Sequence, residues 1–149
     1  MDAIKEIVAD KAFYSIALDP EKQRLYMDLR GFWTSTIRVP EFKQDLQRAI
    51  TRFKQKPFSV LMDLREFHPP LPEVTKLQLQ CQKLMKDSGL LCSAGIVSEK
   101  PQQMVVEKYA EKADILMESF NDMTAAEKWL DYSVERLEID PHVAVPQQY

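Results

Sequence analysis

The chain has few of the residue types on which common catalytic and metal-binding sites depend. Its 149 residues include only three glycines, two cysteines and two histidines. Three scattered glycines exclude a glycine-rich phosphate loop. A zinc site needs three or four ligands at suitable spacing, which a lone His68 without a cysteine pair does not approach. The G-x-S-x-G segment of a nucleophile elbow is missing as well. We therefore predict no metal and no cofactor.

Long apolar runs and an excess of basic charge are also missing. No stretch approaches the roughly 20 apolar residues of a membrane helix, and residues 1–7 carry acidic side chains rather than the apolar run of a signal peptide. The net charge of −3 argues against general nucleic-acid binding, which requires a basic face. The sequence thus predicts a cytoplasmic protein without a transmembrane segment or a nucleic-acid partner.

What the chain does contain fits one folded domain. Hydrophobic residues make up 45% and charged residues 29% of the sequence, enough for a substantial core. We predict an N-terminal extension over residues 1–12, a domain over residues 13–137 and a tail over residues 138–149. The apolar spacing of Ile4, Ile7 and Val8 indicates a short helix in the extension.

Hydrophobic periodicity predicts an alternation of strands and helices within this domain. Alternating patterns indicate a hairpin, and three short apolar runs indicate further strands, of which residues 58–64 form the central one. Helical stripes separate these runs, with Pro40 and Pro101 in first turns and Asp122 as a cap. The third helix is expected to turn an inner side toward the core at Met104, Val105, Tyr109 and Ala113. The fold class predicted is α/β, in the order β-β-α-β-α-β-α-β-α. Its sheet has five strands and is mostly parallel, with an antiparallel first strand.

Two cysteines and one tryptophan are assigned to the core. Cys81 falls within a helical stripe and Cys92 within a strand, so both are expected to be small buried residues rather than disulfide or metal partners. Trp129 lies on the inner stripe of the last helix.

Three segments stand out: Val60-Leu-Met-Asp-Leu64, Gly31-Phe-Trp-Thr34, and a closing pattern of Phe120, Ala126, Trp129 and Leu130. Together they resemble the SpoIIAA-like proteins, which are relatives of the STAS (sulfate transporter and anti-sigma factor antagonist) domains. The resemblance covers roughly residues 13–132 and includes no catalytic motif. It implies a regulatory protein that acts by protein contact, as in the antagonists that bind anti-sigma kinases.

The turn after the central strand departs from the family pattern. In those antagonists a serine in an Asp-Ser-Ser-Gly-type turn is phosphorylated at a helix start, which switches binding. Here residues 67–73 form the corresponding turn, and no serine or threonine occurs between Ser59 and Thr75. Without a hydroxyl to carry the phosphate, this chain is expected to lack the switch.

Several charged residues are predicted to meet at one edge of the sheet, because parallel strands deliver their carboxyl ends to the same edge. They are Asp28, Arg30, Asp63, Arg65, His68, Glu99 and Glu118. Two interpretations are open. A histidine that titrates near neutrality, carboxylates and arginine forks could form a site. Alternatively, these are solvated rim residues that pair with one another, which we favour because ion networks imitate active sites.

Phe32, Trp33 and Ile37 lie between a strand and a helix, where residues are normally exposed. They form a flap over the sheet edge, a contact patch for another chain or a cap over the open end of the core, and the sequence leaves these alternatives open.

The function predicted is a non-catalytic regulatory or protein-interaction module that forms a homodimer and binds an unidentified protein partner. The alternative is a domain that binds a small anionic or lipid-like molecule between Phe32, Trp33 and the rim. An enzyme would require His68 to approach Asp63 or Glu99 inside a cleft. The candidate binding residues are Arg30, Phe32, Trp33, Asp63, Arg65 and His68.

Overall fold

One six-stranded sheet carries all four helices of the chain that are described. The computed structural model describes residues 5–33, 38–68 and 72–143, without the side chains of Arg38, Val39, Pro72, Glu73, Val74 and Leu77. The strands are β1 (Glu6–Asp10), β2 (Tyr14–Asp19), β3 (Arg24–Leu29), β4 (Phe58–Asp63), β5 (Leu90–Ile96) and β6 (Met117–Phe120). The helices are α1 (Arg38–Thr51), α2 (Pro72–Asp87), α3 (Lys100–Lys112) and α4 (Met123–Ile139).

The strands lie side by side in the order of the sequence, from β1 to β6. β2 is antiparallel to both of its neighbours, β1 and β3, whereas β3, β4, β5 and β6 run parallel, each joined to the next by a helix. This arrangement confirms the predicted α/β class and the antiparallel hairpin that leads into a parallel sheet.

The helix predicted within residues 1–12 is wrong, because Glu6–Asp10 forms the edge strand β1. Its backbone pairs with β2, with Glu6 opposite Leu18 and Asp10 opposite Ser15. The exposed edge of β2 offers backbone partners to this segment, and tertiary pairing of this kind overrides a weak local helical spacing. The sheet therefore has six strands rather than the five predicted.

The two faces of the sheet are covered differently. The helices α1, α2 and α3 pack on one face, here called the front face, where Leu46 and Phe53 are fully buried. Among the described helices, α4 alone packs on the opposite, back face, where Trp129 and Leu130 contact β4 and β5 near Leu61. Residues of β4 face both layers, which explains why this strand is almost continuously apolar.

The helix ends follow the signals in the sequence. Asp122 caps α4, since its Oδ2 accepts a hydrogen bond from the Ala125 amide at 3.0 Å. Pro101 lies in the first turn of α3, where its missing N–H has no intrahelical role. None of the described helices is long and apolar enough to cross a membrane.

The predicted inner side of α3 is only partly right. Ala113 is buried, but Met104 is exposed, and the buried stripe of this helix runs through Gln102, Val106 and Ala110. Apolar spacing does not reveal this stripe, because it begins with the polar residue Gln102. The amide of Gln102 can be buried because it is hydrogen-bonded.

Both cysteines are core residues, as the sequence predicts. Cys81 and Cys92 are buried and unpaired. Burial raises the pKa of the Cys81 thiol to about 11 and that of Cys92 to about 12, so both remain protonated at neutral pH. Trp129 is fully buried, also as predicted.

Candidate functional site

The same four residues, Met-Asp-Leu-Arg, span the carboxyl end of β3 (positions 27–30) and the carboxyl end of β4 (positions 62–65). The two strands are parallel and in register, with Met27 opposite Met62 and Asp28 opposite Asp63. Two aspartate–arginine pairs therefore lie side by side at the carboxyl edge of the sheet. This edge is the rim that the sequence predicts.

Asp63 is neutralised by its own arginine. The Arg65 Nε donates to Asp63 Oδ1 at 3.0 Å and Nη2 donates to Oδ2 at 2.8 Å, which is the two-point geometry preferred between guanidinium and carboxylate. The Arg65 amide donates to the same carboxylate at 3.2 Å. These hydrogen bonds from Arg65 hold the pKa of Asp63 below its usual range.

Asp28 has the opposite electrostatic environment. Arg30 reaches it at one point only, with 3.1 Å between Arg30 Nη1 and Asp28 Oδ2. The rest of that guanidinium is engaged elsewhere, because Nη2 donates to the Lys11 carbonyl at 2.5 Å and Nε donates to the Ala12 carbonyl at 3.3 Å. Burial, together with the neighbouring Asp63 charge, raises the pKa of Asp28.

The loops that follow β3 and β4 are hydrogen-bonded to each other through Gly31. The Gly31 amide donates to the Glu66 carbonyl at 2.8 Å, and the His68 amide donates to the Gly31 carbonyl at 3.0 Å. Gly31 has a φ of +77°, and a Cβ there would lie 3.2 Å from the Phe13 ring. Glycine is therefore required where the two loops meet.

Gln102, which the sequence analysis missed, braces the second of these loops. Its side-chain Nε2 donates to the Leu64 carbonyl and, at 2.8 Å, to the Phe67 carbonyl. Its Oε1 accepts from the Ser98 amide at 2.9 Å. Its position one turn before Val106 on α3 is the feature of the sequence that could have indicated its burial. Gln102 thus fixes the loop that follows β4.

His68 lies beside the rim but is exposed. It lines a depression of about 100 Å³ together with Arg65 and Glu99. Among the described residues, the His68 side chain forms no hydrogen bond or ion pair, so the His68–Asp63 or His68–Glu99 contact that an enzyme would need is not seen there. No group of three or more His, Cys, Asp or Glu side chains in the described part of the chain could hold a metal ion.

Glu118 does not join the predicted rim cluster. It is buried on β6 opposite Ala94, on the back face and two residues before the end of the strand. The other charged residues predicted for the rim do lie along the carboxyl edge, in the two aspartate–arginine pairs and around the His68 depression.

The aromatic pair between β3 and α1 divides between core and surface. Trp33 is 0% exposed and packs against Tyr14, Phe42 and Phe67 with ring centroids 5.6 to 6.0 Å apart. Its indole Nε1 donates to the Arg30 carbonyl at 3.0 Å. Phe32 is 44% exposed. Trp33 therefore closes the end of the core, and Phe32 alone is available for contact; Ile37 lies outside the described residues.

Two concave regions lie close to these residues, one on each face of the sheet. On the front face, a cavity of about 60 Å³ lies between β3, β4, α2 and α3, and Phe42 and Phe67, which both pack on Trp33, form part of its wall. We call this the front cavity. On the back face, a shallow depression of about 210 Å³ lies over β2, β3 and β4, lined by Ser15, Ala17, Tyr26 and both rim aspartates. We call this the back depression.

Comparison with known proteins identifies the fold. No protein-family model and no curated protein sequence matches this chain. Among solved structures, the chain is similar to an uncharacterised protein of the DUF3478 family from Shewanella loihica, described as having a SpoIIAA-like fold. The TM-score is 0.64 at 16% sequence identity, over 87% of this chain and 98% of the other. The protein therefore has a SpoIIAA-like fold.

Proposed function

We propose that this protein is a non-catalytic interaction module that binds a second copy of itself through the back depression. The observation that carries the proposal is the unequal cover of the back face. On this face α4 packs over β4, β5 and β6, while the described helices leave much of β1, β2 and the adjoining part of β3 uncovered; α1 covers β1 and β2 on the front face only. A sheet face left in this way is suited to contact with another chain.

The residues on this surface favour close approach of a partner. Ile7 is paired with Ala17 and is 70% exposed, and Met123 at the start of α4 is 38% exposed at the border of the depression. Between them lie the small side chains of Ser15 and Ala17. Exposed apolar residues around a shallow floor of small ones resemble the apolar centre of a protein interface.

Charge at the rim of this surface is of both signs. One row of residues in register crosses four strands and consists of Asp10, Ser15, Asp28 and Asp63. The arginine partners of Asp28 and Asp63 lie at the same edge. A patch with both signs can pair with its own copy about a two-fold axis, which is the commonest symmetry of homo-oligomers.

The geometry of the rim supports a binding role rather than catalysis. The Asp63 carboxylate is engaged at both oxygens by Arg65, and its lowered pKa makes it a weaker proton acceptor than an ordinary carboxylate. General acid–base chemistry also needs a proton-transfer group held within reach of a substrate. The exposed His68, without a side-chain partner among the described residues, is not held in this way.

The test is the solution mass of the full chain by sedimentation equilibrium. We expect the wild type to form a dimer at micromolar concentration, and Ala17→Arg to be a folded monomer because the long side chain fills the floor of the depression. Gln80→Arg, which adds the same side chain at an exposed site on α2, is the matched control and is expected to remain dimeric. A wild type that stays monomeric up to millimolar concentration contradicts the proposal, as does an Ala17→Arg dimer of unchanged affinity.

A further inference from the structure

We propose that the front cavity binds a small, neutral, apolar molecule that carries one hydrogen-bond donor. This site lies on the opposite face from the back depression and does not depend on self-association. Its walls come from four elements, with Met27 on β3, Met62 on β4, Met85 on α2 and Val106 on α3. Concave and mostly apolar sites with a few polar atoms are typical of small-molecule binding.

The donor requirement follows from Gln82. This residue of α2 lines the cavity, and its Oε1 atom is buried without a hydrogen-bond partner among the described residues. Buried carbonyl oxygens are nearly always hydrogen-bonded, because an unsatisfied one loses its interaction with water without replacement. A ligand that donates to this oxygen restores the missing bond.

Two other polar residues that line the cavity already form hydrogen bonds within the protein. Gln102 donates to two backbone carbonyls and accepts from the Ser98 amide. The Tyr109 hydroxyl is hydrogen-bonded to Thr75 at 2.9 Å, which joins α2 to α3 beside the cavity. Gln78 also lines the cavity, but it has no buried side-chain atom that lacks a hydrogen-bond partner. Among the described lining residues, Gln82 therefore sets the polar requirement of the site.

The lining also determines the charge of the ligand. No lysine, arginine, histidine or carboxylate is among the described residues that line the cavity. Transfer of an ion from water to such surroundings is very unfavourable unless an opposite charge accompanies it. A neutral hydroxyl compound is accepted here, whereas a carboxylate of the same shape is rejected.

The size of the cavity limits the ligand further. Its volume of about 60 Å³ is smaller than the ~150 Å³ of an apolar cavity that accepts benzene. The three methionines, Met27, Met62 and Met85, are unbranched and can change rotamer to enlarge it. The site is therefore matched to single rings or short chains.

The test compares phenol, benzene and benzoate at neutral pH, with the methionine methyl resonances of the full chain as the readout. We expect phenol to shift the resonances of Met27, Met62 and Met85 and to leave the exposed Met104 unchanged. Phenol is expected to bind roughly 2- to 10-fold more tightly than benzene, the range that corresponds to one net hydrogen bond. Benzoate is expected to bind more weakly than either.

Gln82→Met removes the acceptor while keeping the length of the side chain. It is expected to abolish the preference for phenol and leave benzene affinity unchanged or higher, whereas Gln80→Met at an exposed site on the same helix retains the preference. Three results would overturn the proposal: no shift at the cavity methionines with any probe, tighter binding of benzoate than of phenol, or a phenol preference that survives Gln82→Met. Each of them is independent of whether the protein dimerises.

Discussion

The two faces of one sheet carry different kinds of surface. The front face lies under α1, α2 and α3 and holds a small apolar cavity whose described lining is uncharged. The back face is shared between α4 and a shallow depression that borders a row of aspartates. We propose that the two faces serve as two binding surfaces, because three of the described helices cover the front face and one covers part of the back face. The front cavity has the lining of a small-molecule site, whereas the back depression is suited to contact with a second copy of the chain.

The largest expected effect concerns the apolar core of the front face. Trp33→Ala is expected to reduce the free energy of unfolding by about 3–5 kcal/mol, because a fully buried aromatic is removed from among Tyr14, Phe42 and Phe67. Its neighbour Phe32 is the matched control, and Phe32→Ala is expected to change stability by less than about 0.5 kcal/mol. Urea denaturation measures both; equal effects of the two substitutions would show that Trp33 does not close the core.

A smaller effect is expected from the polar attachment of α4 to the back face. Arg24 is almost fully buried and donates to Ser59 at 2.8 Å, to Glu127 at 2.8 Å and to Asp131 at 2.9 Å. Arg24→Met is expected to reduce the free energy of unfolding by about 1–2 kcal/mol. This is less than the loss on breaking a fully buried ion pair, because both carboxylates are partly exposed and regain water.

The control for this substitution is Lys22, which approaches the same two carboxylates at 3.3 and 3.5 Å from an exposed position. Lys22→Met is expected to reduce the free energy of unfolding by less than about 0.5 kcal/mol, because exposed ion pairs usually contribute little to stability. Thermal denaturation at low and high salt measures both variants. A loss for Lys22→Met as large as that for Arg24→Met would mean that burial does not distinguish the two cations.

The smallest effects concern the two rim aspartates. Asp63 has a lowered pKa in the fold, so its pairing stabilises the protein above the unfolded pKa near 3.9 and is lost as the pH falls through the folded value. Asp28 has a raised pKa, so its ionisation opposes folding as the pH rises. Asp63→Asn is therefore expected to destabilise the fold at neutral pH and Asp28→Asn to be neutral or slightly stabilising, each by less than about 1 kcal/mol.

Carboxyl-carbon NMR titration measures this difference directly. Asp28 is expected to titrate at higher pH than Asp63, and Arg65→Ala is expected to raise the pKa of Asp63 toward its ordinary value. Titration of the two carboxyls in the reverse order would contradict the assigned hydrogen bonds.

The sequence predicts most of the fold because local signals and tertiary contacts agree there. In an α/β domain, each of three signals is compatible with a single structure. The continuous apolar run at residues 58–64 forms a strand buried on both faces, Asp122 caps a helix, and Trp129 is buried. The strand Glu6–Asp10 was not predictable, because its existence depends on the free edge of β2 rather than on its own periodicity.

The candidate site was less predictable, for a related reason. The sequence places the aspartate–arginine pairs at one edge, but the two Met-Asp-Leu-Arg segments are identical. Their aspartates differ because Arg65 pairs with Asp63 at two points, whereas Arg30 also donates to the carbonyls of Lys11 and Ala12 and burial dominates the environment of Asp28. Likewise, residue type does not show that Trp33 is buried and Phe32 exposed, or that the buried Gln82 oxygen lacks a hydrogen-bond partner among the described residues. These properties arise from packing between segments distant in the chain.

The most direct test of the interaction proposal is a dilution series of the isotope-labelled wild-type chain followed by amide NMR. If the back depression is the contact surface, the resonances that shift with concentration will cluster on Ile7, Ser15, Ala17 and Tyr26, with those of α2 unchanged. Spectra that do not depend on concentration, or shifts confined to α2 and α3, would contradict the account.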